Sequence, residues 1–163
     1  MDITLSQKER MLLEDQKSHE QLCIEKYSDY ESQAKCSQLK QIFKANGQAE
    51  KTHLDSINQL LDGTIPQMNQ QQNQNSGQSM GSQSSAISSN NAQLSGQVTS
   101  SDKGMCTDLL MTEKYVSGAY DTAIFEFRDT RVRDVLNHIQ KEEQKHGEAI
   151  SQYMVNNGMY NIQ

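Results

Sequence analysis

The sequence of 163 residues has no long hydrophobic run. No stretch approaches the roughly 20 apolar residues that a helix needs to span a bilayer, which argues against a membrane protein. Residues 1–13 lack the apolar core of a secretory signal peptide, so we expect a protein that is made and kept inside a cell. The net charge of −6 and the pI of about 5.2 disfavour nucleic acid and anionic membranes as partners.

Cysteine is also scarce. The three cysteines, Cys23, Cys36 and Cys106, include no Cys-x-x-Cys pair. A small, odd and scattered set argues against a disulfide framework and against a zinc or rubredoxin-type site. We expect Cys23 and Cys106, which lie on or near an apolar stripe described below, to be small packing residues.

One segment lacks both charge and helical periodicity. Residues 67–101 are almost wholly Gln, Asn, Ser and Gly. Such a segment cannot bury enough apolar surface to offset the entropy lost on ordering, so we expect a disordered crossover over residues 64–104. It separates two helical hairpins, residues 1–63 and 105–163, that together form one domain. The segment is longer than a crossover requires, and it could hold partners or permit domain swapping into a homo-oligomer.

The sequence does contain a repeated Glu-x-x-His step, as Glu50–His53 and again as Glu143–His146. Residues three apart lie on one face of a helix, so each step points a carboxylate and an imidazole the same way. Together these two side chains form a ligand pair for a divalent metal. A single step of this kind arises by chance in roughly one of every few chains of this length, so its surroundings decide its meaning.

The surroundings of the two steps are repeated as well. A glutamate lies 30 positions upstream of each step, Glu20 in the first half and Glu113 in the second, which gives the halves a constant offset of 93. Further pairs match at this offset: Tyr27 with Tyr120, Phe43 with Leu136, and Ile57 with Ile150. The pattern indicates a diverged internal repeat of a helix pair.

Apolar residues recur in both halves with the 4-3-4-3 spacing of a buried helix stripe. The first pair of helices gives Leu13, Gln16, Glu20, Cys23, Tyr27, Tyr30 and Ala34, then Leu39, Phe43, Asn46, Glu50, His53, Ile57 and Leu60. The second pair gives Leu109, Glu113, Val116, Tyr120, Ala123 and Phe127, then Val132, Leu136, Ile139, Glu143, His146, Ile150 and Tyr153. All four glutamates and both histidines therefore fall on the buried face of their helices.

Turn and cap residues predict the bounds of four helices. The first two helices should cover about residues 6–34 and 37–61. The third should begin at residue 102 or 107 and end before the turn near residue 129, and the fourth should cover about residues 131–155. Ser6 and Glu9 have capping-box spacing, and Ser37 is a candidate N-cap of the second helix. Gly47 lies inside that helix without an evident reason, at a cost of about 1 kcal/mol relative to alanine. Gly118 in the third helix could permit a close helix approach.

Charge determines what the buried acids can do. A buried, unpaired carboxylate costs several kcal/mol or takes up a proton, and four at one level would repel one another. The level is shared, because the two glutamates of each hairpin both lie 15 residues from their turn, at Lys35 and at Arg128. Two divalent cations would cancel the four charges, and the two imidazoles would complete the shell.

This ligand pattern resembles that of the ferritin-like di-iron and di-manganese proteins, in which two helices give one Glu each and two give a Glu-x-x-His. We therefore expect an all-α, ferritin-like four-helix bundle made of two repeated antiparallel helix pairs. The expected ligands of two iron or manganese ions are Glu20, Glu50, His53, Glu113, Glu143 and His146.

The second half has a closer resemblance. The runs Thr107–Tyr115, Arg128–Asp129 and Glu143–Gly147 resemble the coat F family of bacterial spore coat proteins, over about residues 105–160. The first half resembles the same family more weakly, as the diverged copy of the repeat. The resemblance implies synthesis in the mother-cell cytoplasm, deposition in the spore coat, a structural role and other spore coat proteins as partners. Rubrerythrins share the bundle but usually carry a cysteine-ligated rubredoxin module. The sequence has no such module, which argues against a rubrerythrin-type peroxidase.

Two functions from different classes follow. One is a structural spore coat protein, and the other is a di-metal oxidase, peroxidase or catalase in which the glutamates hold or bridge the metals and the histidines cap them. A third interpretation is that the six side chains descend from a metal site and are now only hydrogen-bonded. Tyr27 and Tyr120, two turns from Glu20 and Glu113, are either packing residues with satisfied hydroxyls or donors and electron relays at the site. His19 and His138 fall off the stripes, where we expect surface residues.

Overall fold

The computed structural model describes residues 2–67 and 100–163, which form four α-helices and no strand. The helices are α1 (Gln7–Gln33), α2 (Ser37–Leu61), α3 (Ser100–Ile124) and α4 (Thr130–Asn156). The prediction of an all-α four-helix bundle is confirmed. Because α3 begins at Ser100, the last residues of the predicted crossover are helical, whereas residues 68–99 lie outside the described part of the chain.

The helices form two antiparallel hairpins that pack against each other. The Ile3 amide donates to the Gly63 carbonyl at 2.8 Å, which places the start of α1 beside the end of α2. Helix α1 also contacts α3, and α2 contacts α4. The ion pair between Lys26 and Asp108, 3.0 Å long, shows that α1 and α3 run antiparallel, since it joins the last part of α1 to the first part of α3. Helix α2 therefore ends at the opposite end of the bundle from the start of α3, the arrangement that a long crossover serves.

The predicted stripes form the core. Every stripe residue is buried except Tyr30, which is half-buried. Leu13, Leu39, Ile57, Leu109 and Ile150 are fully buried above and below the level of the glutamates, so apolar layers enclose the polar centre. No helix in the described part of the chain combines the length and the hydrophobicity needed to span a membrane.

Side-chain hydrogen bonds stabilise the backbone just before α1 and α2. The capping box is present: the Glu9 amide donates to Ser6 Oγ at 3.2 Å, and the Ser6 amide donates to Glu9 Oε2 at 2.7 Å. Burial alone would raise the pKa of Glu9, but its hydrogen bonds with the backbone and side chains of Ser6 and Arg128 together outweigh burial and lower it to about 2. The prediction of Ser37 as an N-cap is wrong, because Cys36 occupies that position and makes no side-chain cap bond. Asp102 of α3 instead accepts from the Cys36 amide at 3.2 Å.

The two hairpins hold each other's turns. Glu9 and Asp102 are related by the same offset of 93 as the central glutamates. Glu9 Oε1 accepts from the Arg128 amide at 3.0 Å, in the α3–α4 turn. Asp102 Oδ1 accepts from the Lys35 amide at 3.0 Å, in the α1–α2 turn. The repeat therefore extends further toward the helix starts than the sequence comparison indicated.

Gly47 allows α1 and α2 to approach closely. A Cβ atom at this position would lie 3.1 Å from Tyr27 Cβ, tighter than most real contacts of this kind. The space that Tyr27 needs thus explains why a glycine occurs inside α2 despite its cost in helix stability. The corresponding expectation for Gly118 is wrong, since a Cβ there would have no neighbour within 4 Å.

Candidate metal centre

Six polar side chains meet at the middle of the bundle. Helices α1 and α3 each give one glutamate, and α2 and α4 each give a glutamate and a histidine one turn apart: Glu20, Glu113, Glu50, His53, Glu143 and His146. None is more than 5 % exposed. The structure therefore brings together all six residues that the sequence singled out, at one level and away from solvent.

The six residues form two overlapping groups of four. The first group is Glu20, Glu50, His53 and Glu143, and the second is Glu50, Glu113, Glu143 and His146. In each group one candidate ligand atom per residue lies within 4.8 Å of all the others. Glu50 and Glu143 belong to both groups, so these two carboxylates are shared between the two halves of the cluster.

His53 faces three carboxylates. Its Nδ1 atom lies 3.0 Å from Glu143 Oε1, 3.1 Å from Glu50 Oε2 and 3.6 Å from Glu20 Oε2. Two ligand atoms that are each about 2.1 Å from a metal lie about 3.0–3.4 Å apart at octahedral or tetrahedral angles. These separations therefore match the spacing of donor atoms around one cation.

His146 has the same surroundings on the other side of the centre. Its Nδ1 atom lies 3.1 Å from Glu50 Oε1, 3.5 Å from Glu143 Oε2 and 3.7 Å from Glu113 Oε1. The rings of His53 and His146 stack with their centroids 5.6 Å apart and an interplanar angle of 22°. The two halves of the cluster are thus related by a local two-fold arrangement.

Several buried carboxylate oxygens have no hydrogen-bond donor within the described residues. They are Glu20 Oε2, Glu113 Oε2 and both oxygens of Glu143. Glu143 Oε1 lies near His53 Nδ1, but His53 Nδ1 has the geometry of a hydrogen bond only with Glu50 Oε2. Unpaired buried oxygens are costly, and a divalent cation would satisfy them. The side chains present therefore fit a di-metal site in type, number and spacing.

The glutamates divide into two classes by pKa. Burial raises the pKa of Glu20 to about 8 and that of Glu113 to about 9, although the nearby imidazoles of the histidines oppose the shift. Burial acts on Glu50 and Glu143 as well, but the close imidazoles of both histidines outweigh it and lower their pKa values. Without metal at pH 7, the two outer carboxyls are therefore neutral and the two shared carboxylates are ionised.

The histidines balance the remaining negative charge. Burial alone would lower the pKa of each imidazole, but the surrounding glutamates outweigh it and raise the pKa of His53 to about 12 and that of His146 to about 11. Two imidazolium ions and two carboxylates leave the metal-free cluster with no net charge. Four carboxylates with two divalent cations and neutral imidazoles would also be neutral.

Two buried tyrosines cross between the hairpins. The Tyr27 hydroxyl donates to Glu113 Oε1, and the Tyr120 hydroxyl donates to Glu20 Oε1. Each tyrosine thus orients the outer glutamate of the opposite hairpin and not the glutamate of its own helix. Asn46 Nδ2 donates to the Tyr27 hydroxyl at 3.1 Å, a contact that sequence reasoning missed. The position of Asn46 within an apolar stripe was the sequence feature that could have predicted a buried hydrogen-bond partner.

The other candidate side chains lie outside the cluster. His138 is exposed, as expected, and His19 is half-buried with its ring 5.5 Å from that of Tyr115. All three cysteines are buried and free, which confirms the expected packing role of Cys23 and Cys106. Burial raises the pKa of the Cys106 thiol to about 12, so it is not a thiolate at neutral pH.

A cavity of about 560 Å³ lies against the cluster between α3 and α4. Glu113 and Glu143 line it together with Leu110, Ser117 and Gly147. We call it the α3–α4 cavity. Glu113 and Glu143 are its two lining residues that belong to the cluster, and both are almost fully buried.

Comparison with known proteins gives one match. No curated protein and no solved structure matches the chain. Residues 101–163 match the family model of the Coat F domain, which confirms the resemblance that the sequence indicated for this half. The match covers α3 and α4, with Glu113, Glu143 and His146. The second hairpin is therefore similar to the Coat F domain, and this similarity includes three of the six residues of the cluster.

Proposed function

We propose that this protein is a structural component of the spore coat, with a ferritin-like bundle that binds two divalent metal ions, iron or manganese. The observation that carries the metal proposal is the pair of four-residue groups that share Glu50 and Glu143. In this proposal Glu20 and His53 complete one site, and Glu113 and His146 complete the other. The sharing of two carboxylates is the feature that distinguishes a two-metal site from a chance group of buried acids.

The coat proposal is supported by the match of residues 101–163 to the Coat F domain. Its consequences are a location in the spore coat and other spore coat proteins as partners. A bundle with a bound metal pair would suit a structural role, because a ligand that binds only the folded state adds its binding free energy to stability.

Metal analysis tests the proposal directly. The metal-free protein is loaded with iron or manganese, excess metal is removed, and the bound metal is measured. We expect about two ions per chain for the wild type. Glu50→Ala should bind fewer, because it removes a ligand from both groups, whereas Glu148→Ala on the exposed face of α4 should bind as the wild type does. Absence of bound metal, together with unchanged melting of Glu50→Ala, would contradict the proposal.

A di-metal enzyme that acts on oxygen or peroxide is the second candidate. It is favoured by the α3–α4 cavity, which gives a small molecule a place beside Glu113 and Glu143. Metals with open coordination positions would supply the chemistry of binding and reducing oxygen species. In that case Tyr27 and Tyr120 would hold the outer carboxylates in place through their hydroxyls. Consumption of oxygen or peroxide by the loaded protein would favour this candidate, and an inert loaded protein would favour the structural role.

A further inference from the structure

The internal repeat shows that only the second hairpin has the small residues that line the α3–α4 cavity. Gly147 and Ser117 line this cavity. At the offset of 93, the first hairpin has Leu54 in place of Gly147 and Ile24 in place of Ser117. Both aliphatic side chains are half-buried. The otherwise symmetric bundle is therefore asymmetric in how its two hairpins cover the cluster.

We propose that the α3–α4 cavity is the route by which divalent cations reach the buried cluster from solvent, and that Gly147 keeps this route open. The inference rests on the proposed metal site. It assigns the second hairpin, and not the first, as the side from which both sites are filled.

The size of the cavity suits this role. A divalent cation with six waters occupies roughly 180 Å³ if each water takes about 30 Å³. The cavity of about 560 Å³ can accept such an ion before it loses its waters. The carboxylates of Glu113 and Glu143 then offer replacement ligands, one from an outer position and one shared by both groups.

Gly147 lies directly over Glu113. A Cβ atom at Gly147 would lie 3.7 Å from Leu110 Cδ1 and 3.9 Å from Glu113 Cβ, which are ordinary contact distances. Alanine therefore fits without strain. A leucine, the residue at the equivalent position of the first hairpin, would extend from this point into the cavity beside Glu113.

The experiment measures the rate of metal uptake and the final metal content separately. Metal-free wild type, Gly147→Leu and Ser117→Ile are mixed with Co²⁺, and the visible absorption of the bound ion is followed in time. We expect both variants to bind about two ions per chain. We expect uptake to be slower by roughly tenfold or more, since access would then need local opening of the bundle. Gly118→Leu is the matched control, because a Cβ atom there has no neighbour within 4 Å and Gly118 does not line the cavity.

The possible results separate the inference from the proposed function. Equal uptake rates in the wild type, Gly147→Leu and Ser117→Ile would overturn the route while leaving the metal site intact. A lower final metal content in both variants would also overturn it, because the substitutions would then damage the site and not the access. No uptake by the wild type would instead contradict the metal site itself. If Gly147→Leu does not fold, Ser117→Ile alone decides between these results.

Discussion

Replacing Glu20 with glutamine should leave the metal-free protein almost as stable as the wild type while weakening its metal binding. Burial raises the pKa of Glu20 to about 8, so this carboxyl is neutral at pH 7. Glutamine has nearly the same shape and is also neutral, and its carbonyl oxygen can still accept the hydrogen bond from the Tyr120 hydroxyl. We expect the free energy of unfolding to change by less than about 1 kcal/mol, as for a substitution that keeps its hydrogen bond.

The same substitution at Glu50 should have a large effect. Glu50 is ionised, and it accepts hydrogen bonds of 3.1 Å from both His53 and His146. Glutamine at this position would leave two buried imidazolium ions with too little negative charge. Breaking a buried ion pair by removing one partner costs about 3–5 kcal/mol. For a domain of this size, this loss lowers the melting temperature by on the order of 10 °C or more.

The assay is thermal and urea unfolding at pH 7, once with EDTA and once with Mn²⁺ in excess. A ligand at 100 times its Kd stabilises the folded state by about 2.7 kcal/mol per site, so two sites give about 5 kcal/mol in the wild type. Glu20→Gln should lose a clear part of this gain. Glu148→Gln, on the exposed face of α4, should behave as the wild type in both conditions. The reasoning fails if Glu20→Gln and Glu50→Gln cost the same in EDTA, or if Glu20→Gln keeps the full gain from Mn²⁺.

Four further predictions follow from the same structure. In EDTA, the free energy of unfolding should fall as pH rises from about 6.5 to 9. The reason is that both histidines and the two outer glutamates keep protons in the folded state that they lose on unfolding. Urea melts at several pH values that show a flat or rising profile would contradict this. Loading with two metal ions should release about four protons, measured by titration in weakly buffered solution, and a release near zero would exclude the charge balance. Tyr27→Phe should cost about 1–3 kcal/mol and more than Tyr120→Phe in urea melts, because it also leaves Asn46 without its acceptor. Gly47→Ala should destabilise the protein by crowding Tyr27, whereas Gly118→Ala should stabilise it by up to about 1 kcal/mol. If thermal melts show that the two substitutions change the melting temperature in the same direction, the packing explanation is refuted.

The bundle and the six central residues could be predicted from the sequence because each depends on local spacing. A stripe with a 4-3-4-3 period identifies the buried face of one helix without any knowledge of its neighbours. The constant offset of 93 then places Glu20 and Glu113 in equivalent positions. Together these two patterns determine the level of each glutamate, and the structure shows that level to be shared.

Contacts between the hairpins could not be predicted in the same way. An internal repeat shows which residues are equivalent, but not which residue of one copy touches which residue of the other. In a two-fold arrangement contacts are reciprocal, so a bond from Tyr27 to Glu113 implies one from Tyr120 to Glu20. The sequence is equally compatible with each tyrosine acting on its own hairpin.

The same reason accounts for the wrong N-cap at Ser37. Serine is a favoured cap, and nothing local argues against it. The turn before α2 is instead stabilised by Asp102 of α3, which lies 66 residues from Cys36 in the sequence. The packing of Gly47 against Tyr27 is similar, since it depends on the angle at which α1 crosses α2.

Charge balance explains how a small bundle can bury four carboxyl groups and still fold. Two neutral carboxyls, two carboxylates and two imidazolium ions sum to zero, so the metal-free core contains no uncompensated charge. Two divalent cations replace four protons and leave the sum at zero. We therefore expect the metal-free protein to fold, and in the proposed metal site the binding of metal would be an exchange of cations for protons. Such an exchange would require a path for hydrated ions, and the proposed path passes Gly147 and Ser117 of the second hairpin, where the first hairpin has Leu54 and Ile24.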